Sequence, residues 1–145
     1  MSSHTRPANA TSIYVTDSDR RRLGLLLATR EGRAWGSSRG LGKLEATLED
    51  AEPVESSRTP ETLVTMNTTV KLTDLGTGQP RTVTLVYPDD VDLVPDGISV
   101  FKALGTALIG HKVGDVVESA QQHVRRKLIV AKIVFQPEKA GVDYL

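Results

Sequence analysis

The apolar residues of this chain change their period partway along. Up to Pro53 they recur every three or four positions, as on one face of a helix. From Leu63 onward they fall in short β-branched runs that alternate with polar residues. A chain written this way is neither all-helical nor all-strand. It predicts an α+β fold, with helices gathered at the front and a sheet behind them.

In the front part, Thr16 and Asp17 offer N-caps and Asp17 and Asp19 place negative charge in a first turn. Leu23, Leu26, Leu27 and Arg30 follow at helical spacing, which predicts a helix over 17–28. A second series, Leu41, Leu44, Leu48 and Ala51, has the 3-4-3 spacing of a coiled-coil seam and ends before Pro53. Between the two, Glu31 to Gly42 holds Gly32, Gly36, Gly40 and Gly42 with Ser37 and Ser38. Glycine costs up to ~1 kcal/mol inside a helix, so this stretch is expected to be a loose tip. At 1.5 Å per residue the two helices would make a stub about 15 to 20 Å long. Two readings stay open, a projecting antiparallel hairpin and a pair of ordinary core helices.

Behind a turn-rich linker (Pro53, Ser56, Ser57, Arg58, Thr59, Pro60), Thr69 to Thr73 alternates like a strand. Gly76-Thr77-Gly78 supplies a turn, and Thr82 to Tyr87 completes an antiparallel hairpin that stops at Pro88. Ile98 to Phe101 reads as a short strand, and Leu104, Ala107 and Leu108 as a short helix closed by Gly110. Val116 to Glu118 and Lys127 to Phe135 finish the set, the second apolar enough for a central position. The expected organisation is a disordered tail over 1–12, a helical hairpin over 13–52, a linker over 53–62 and a mainly antiparallel sheet with one short helix over 63–145.

Composition narrows the function. Eighteen basic residues balance eighteen acidic ones, so no overall field draws in nucleic acid, and sequence-specific DNA binding is not expected. The absence of cysteine excludes disulfides and thiolate metal ligands. No apolar run approaches the ~18 residues that cross a bilayer, and the polar start lacks the apolar stretch of a secretory signal, so a cytoplasmic, membrane-free protein is expected. His4, His111 and His123 have no acids or histidines at ligand spacing, and no G-x-S-x-G elbow is present, so neither a metal, a cofactor nor a catalytic centre is expected. The acidic run Asp89, Asp90 and Asp92 lacks the spacing of a calcium loop and suits a solvated loop or a docking surface for a basic partner. The basic run Arg125, Arg126 and Lys127 has no aromatic neighbours on which bases could stack, and reads as a surface strand end. Trp35, the single tryptophan, stands among glycines and arginines at the presumed tip; an interface anchor and a residue folded back on the hairpin are equally compatible with it.

Taken together, the segments LVTMNTTVKLTD, RTVTLVYPDDVD, ISVFKALGTALIGHKVGD and IVFQPEKAGVDYL resemble the Gre (GreA/GreB) transcript-cleavage-factor family. Within it, they are most similar to the Rnk branch, the regulators of nucleoside diphosphate kinase. The likeness covers most of 63–145. It implies an FKBP-like C-terminal domain and, for the leucine pair, a coiled coil shorter than the Gre finger. Gre factors insert that finger into the secondary channel of RNA polymerase, where two acidic tip residues help hold a catalytic magnesium ion. Here the tip offers only Glu31, flanked by Arg30 and Arg33, while Asp17 and Asp19 lie at the hairpin base.

The resemblance therefore implies a non-enzymatic regulator, expected to be monomeric, that docks on bacterial RNA polymerase without cleavage and competes with Gre factors. Docking in the family uses the loop before the short C-terminal helix, which corresponds here to Phe101, Lys102, Ala103 and Leu104. Phe101 and Lys102 depart from the acidic and small polar residues common there. A competing reading, a prolyl isomerase of the same fold, is disfavoured because Tyr87, Phe101, Phe135 and Tyr144 are dispersed among different segments.

Overall fold

The structure, a computed structural model, describes residues 12–121 and 123–141; residues 1–11 of the expected tail and Tyr144 lie outside the described residues. The chain enters through strand β1 (Tyr14–Thr16) and turns directly into helix α1 (Asp17–Leu27). Thr16 caps that helix, its hydroxyl accepting a hydrogen bond from the Asp19 amide at 3.0 Å. Helix α3 (Ser38–Asp50) runs back antiparallel to it. The direction follows from Arg20, near the start of α1, whose guanidinium donates to the carbonyls of Leu48 and Ala51 at the end of α3.

The expected loose tip is ordered. Helix α2 (Arg30–Arg33) occupies part of it, capped by the Thr29 hydroxyl, and α3 begins three residues ahead of Leu41, capped by the Ser37 hydroxyl. Two caps offset part of the glycine cost, and the glycines are used for close packing. A Cβ at Gly32 would lie 2.0 Å from the Leu26 carbonyl oxygen, and one at Gly36 would lie 3.2 Å from the Phe101 ring.

At its far end α3 meets strand β2 (Glu52–Val54), which pairs parallel with β1 and places Val15 opposite Pro53. Of this two-stranded closure, only Pro53 and Val54 lie in the segment expected to be a linker. A single 3-10 turn (Ser56–Arg58) follows it. The main sheet then has five strands in the order β5-β4-β3-β7-β6: β3 (Thr69–Asp74), β4 (Pro80–Val86), β5 (Gly97–Ser99), β6 (Val116–Gln121) and β7 (Val124–Phe135). All pairings are antiparallel except β4 with β5. β7 lies inside the sheet as its apolar run predicts, and its register against β3 shifts twice. The acidic run forms a 3-10 turn (Pro88–Leu93), and helix α4 (Ala103–Leu108) follows β5. A last short helix, α5 (Pro137–Ala140), was not legible in the sequence.

One hydrophobic core joins everything. Leu23, Leu41, Leu44 and Leu48 from the helices are buried in the same cluster as Val70, Leu72, Leu85, Leu128 and Val130 from the sheet. The leucine stripe of the two antiparallel helices is thus buried in one core with the sheet, so the hairpin packs on the sheet domain.

Candidate partner-binding surface

The loop between β5 and α4 is held from inside. The Ser99 side chain accepts from the Phe101 amide at 3.1 Å, the Ser99 carbonyl accepts from the Lys102 amide at 3.0 Å, and the Thr106 hydroxyl donates to the Val100 carbonyl at 2.6 Å. Gly105 is wedged under this loop, since a Cβ there would lie 2.1 Å from the Ser99 carbonyl oxygen. The four residues expected to form one contact loop are thereby split. Phe101 is only 3% exposed and Leu104 is buried, both belonging to the core, whereas Lys102 and Ala103 face solvent. This burial pattern follows from the turn into α4, which directs Phe101 under the hairpin tip while Lys102 and Ala103 point out.

The tip and this loop touch. Gly36 and Gly40 lie against Phe101, the first against its ring and the second against its carbonyl oxygen. At the tip surface, Arg30, Glu31 and Trp35 are exposed, with Trp35 at 51%. Arg33 does not flank Glu31 as a free cation: its guanidinium donates to the Leu27 carbonyl and pairs with Glu45 of α3 at 3.2 Å. In the 3-10 turn after β4, Asp89 and Asp92 are exposed and Asp90 half-buried, beside a Leu93 that is 78% exposed.

The remaining polar candidates are accounted for locally. Arg125 pairs with Glu118 across the β6–β7 hairpin and Arg126 with Asp74. Both arginines of the basic run are thus matched by acids. The turn amide of Gly76, together with Arg126 and the Thr77 amide, holds the Asp74 carboxyl below its usual range. His111 does have an acidic neighbour, contrary to expectation: its Nδ1 lies 3.2 Å from the Asp115 carboxylate, which also accepts from the Lys112 amide. A single such pair is no metal site, and among the described residues no group of three or more potential ligands occurs.

Sequence reasoning missed the role of Asp19. It is 5% exposed and its carboxylate accepts from the Met66 amide at 2.9 Å, tying α1 to the segment that leads into β3. Burial pushes its pKa up to about 7, against the Met66 hydrogen bond and with help from the charge of Glu138. Glu138 in turn accepts from the Thr65 hydroxyl at 2.7 Å. Tyr87 completes this buried polar group: the Arg22 guanidinium covers its ring at 4.6 Å, and its hydroxyl has no hydrogen-bond partner among the described residues. Burial pushes the Tyr87 phenol above its usual range. The one available signal was spacing, since Asp19 stands four residues before the buried Leu23 and so on the same helix face.

The family model described as "Transcription elongation factor, GreA/GreB, C-term" matches residues 59–134. The chain is 35% identical over 135 residues to the regulator of nucleoside diphosphate kinase of Escherichia coli (strain K12), covering 92% of this chain and 96% of that protein. It is 33% identical over 90 residues to transcription elongation factor GreA of Thermotoga maritima, covering 61% of this chain and 57% of that one. Among solved structures, a prokaryotic transcription elongation factor GreA/GreB from Nitrosomonas europaea superposes with a TM-score of 0.70 at 32% identity, over 87% of this chain and 100% of that one. The competing isomerase reading gains nothing from these relatives, and Tyr87, Phe101 and Phe135 line three separate clefts instead of one pocket. By the family domain and by an alignment that runs nearly end to end with a relative, the chain belongs to the GreA/GreB family of transcription elongation factors.

Proposed function

We propose that this protein binds bacterial RNA polymerase near the secondary channel as a regulator that does not cleave RNA, and that it competes there with Gre factors. Family membership supports the partner. The observation that carries the lack of cleavage is the tip, where Glu31 is the one carboxylate among Arg30–Arg33 and the neighbouring Arg33 is engaged with Glu45. A hard divalent cation needs several oxygen ligands, and a single exposed carboxylate does not supply them. On this reading the hairpin acts as a shortened coiled coil, the sheet of 63–145 as an FKBP-like docking domain, and the protein works as a cytoplasmic monomer without a DNA site of its own. Lys102 and Ala103 are the contact residues on the docking loop, with Phe101 and Leu104 as their internal support. The acidic turn of Asp89, Asp90 and Asp92 is a second contact region. Equilibrium binding to core RNA polymerase, with a Gre factor titrated as competitor, tests the proposal. Saturable binding that the competitor displaces is expected, and binding that the competitor leaves unchanged would refute a shared site.

A further inference from the structure

Between the hairpin tip and the docking loop lies a cavity of about 230 Å³. Three cationic side chains line it, Arg39 and Lys43 one turn apart on α3 and Lys102 at the entrance to α4. No carboxylate lines it, and none of the three cations has an acidic partner among the described residues. This contrasts with Arg33, Arg125 and Arg126, each of which pairs with an acid. Like charges brought together from two elements repel one another, and the chain offers nothing of its own to neutralise them. The first turn of α3, which carries the positive end of a 13-residue helix, adds Ser37 and Gly40 to the same wall. Phe101 closes the cavity from the core side.

From this convergence we infer that the cavity is a binding site for a small phosphorylated ligand, whose anionic group is held by Arg39, Lys43 and Lys102. The floor of the cavity is bounded on two sides by packed elements, and the three cationic side chains are exposed at its mouth, where an anionic group reaches them from solvent. A phosphate group also matches donors that arrive from different directions, as a fork from Arg39 and point charges from the two lysines. Such a ligand bridges α3 and the β5–α4 loop, so it fastens the hairpin tip to the domain that carries the proposed docking residues. The site does not depend on polymerase binding and is tested without polymerase.

The test is titration of the full chain with inorganic pyrophosphate and, separately, with ADP, followed by calorimetry and by amide chemical shifts. Sodium sulfate at equal ionic strength serves as the reference. Saturable pyrophosphate binding is expected, with shifts confined to the Gly36–Lys43 and Phe101–Thr106 segments. Arg39→Gln and Lys43→Gln should each weaken it by about tenfold, the scale of one charge-assisted hydrogen bond. Arg81→Gln removes an exposed cation outside the cavity and should leave it unchanged. ADP binding more tightly than pyrophosphate identifies a nucleotide as the ligand; equal affinity identifies the diphosphate group alone. The inference is overturned if pyrophosphate binds no better than sulfate, if Arg81→Gln weakens binding as much as the cavity variants do, or if an octaglutamate peptide binds these residues more tightly than pyrophosphate, which would make the site a protein contact.

Discussion

Asp19 is the residue whose chemistry differs most from its free form. Its folded pKa is about 7 against an ordinary 3.8, so between those values the folded chain binds a proton that the unfolded chain releases. The stability this group contributes is therefore full below about pH 4 and is lost as pH rises through about 7. Asp19→Asn keeps an oxygen for the Met66 amide without the charge. The variant should be the more stable protein at pH 8, by on the order of a few kcal/mol, with the advantage vanishing toward pH 4. Urea melts of both proteins across that range check this, and parallel curves would contradict it. A second pair of substitutions separates packing from contact on the docking loop. Phe101→Ala should cost about 3 to 5 kcal/mol of stability through the cavity it leaves. Lys102→Glu should leave the melt within about 0.5 kcal/mol while slowing association with polymerase. Thermal melts beside association rates distinguish the two, and a Lys102→Glu variant that associates as fast as the parent would remove Lys102 from the contact.

Among the elements, the glycine-rich stretch from Glu31 to Gly42 shows what a sequence conceals. Propensity marked it as loop, and propensity was overridden, because Thr29 and Ser37 cap two helices there and the glycines admit neighbours no side chain would tolerate. Two glycines of that stretch should respond with opposite sign. Gly32→Ala pushes a Cβ into the backbone of Leu26 and should destabilise by more than about 2 kcal/mol. Gly42, inside α3, has nothing within 4 Å of the added carbon, and Gly42→Ala should stabilise by roughly 0.5 to 1 kcal/mol. Chemical denaturation of both variants is the check, and changes of equal sign would contradict the packing described. The strands were easier to read than this stretch, since Thr69 to Asp74 and Pro80 to Val86 carry a period of two with a polar turn between them. The β1–β2 pair was hidden because its three-residue strands are brought together only by the helices between them. Phe101 was hidden likewise, since whether an aromatic faces core or solvent depends on a tip sixty residues away.

For the whole molecule, the central fact is that the core crosses the boundary expected at 53–62. Leucines of α1 and α3 share it with the sheet, and the Asp19–Met66 hydrogen bond spans it as well. The family domain nonetheless matches 59–134, and we propose that 63–145 is a folding unit on which the hairpin is docked. Expressed alone, that segment should unfold cooperatively at a lower Tm than the full chain, because it loses the helical leucines Leu23, Leu41, Leu44 and Leu48 that share its core. A segment without a cooperative transition would contradict the division. Function at this scale rests on the claim that the chain occupies the Gre site on polymerase without the Gre chemistry. The most direct measurement is RNA release from a backtracked polymerase complex in magnesium, at a fixed concentration of Gre factor and rising concentrations of this protein. The account predicts that release declines toward zero as the protein is added, and that the protein alone releases nothing. Release that stays constant at saturating protein, or short RNA produced by the protein alone and abolished by Glu31→Ala, would contradict it.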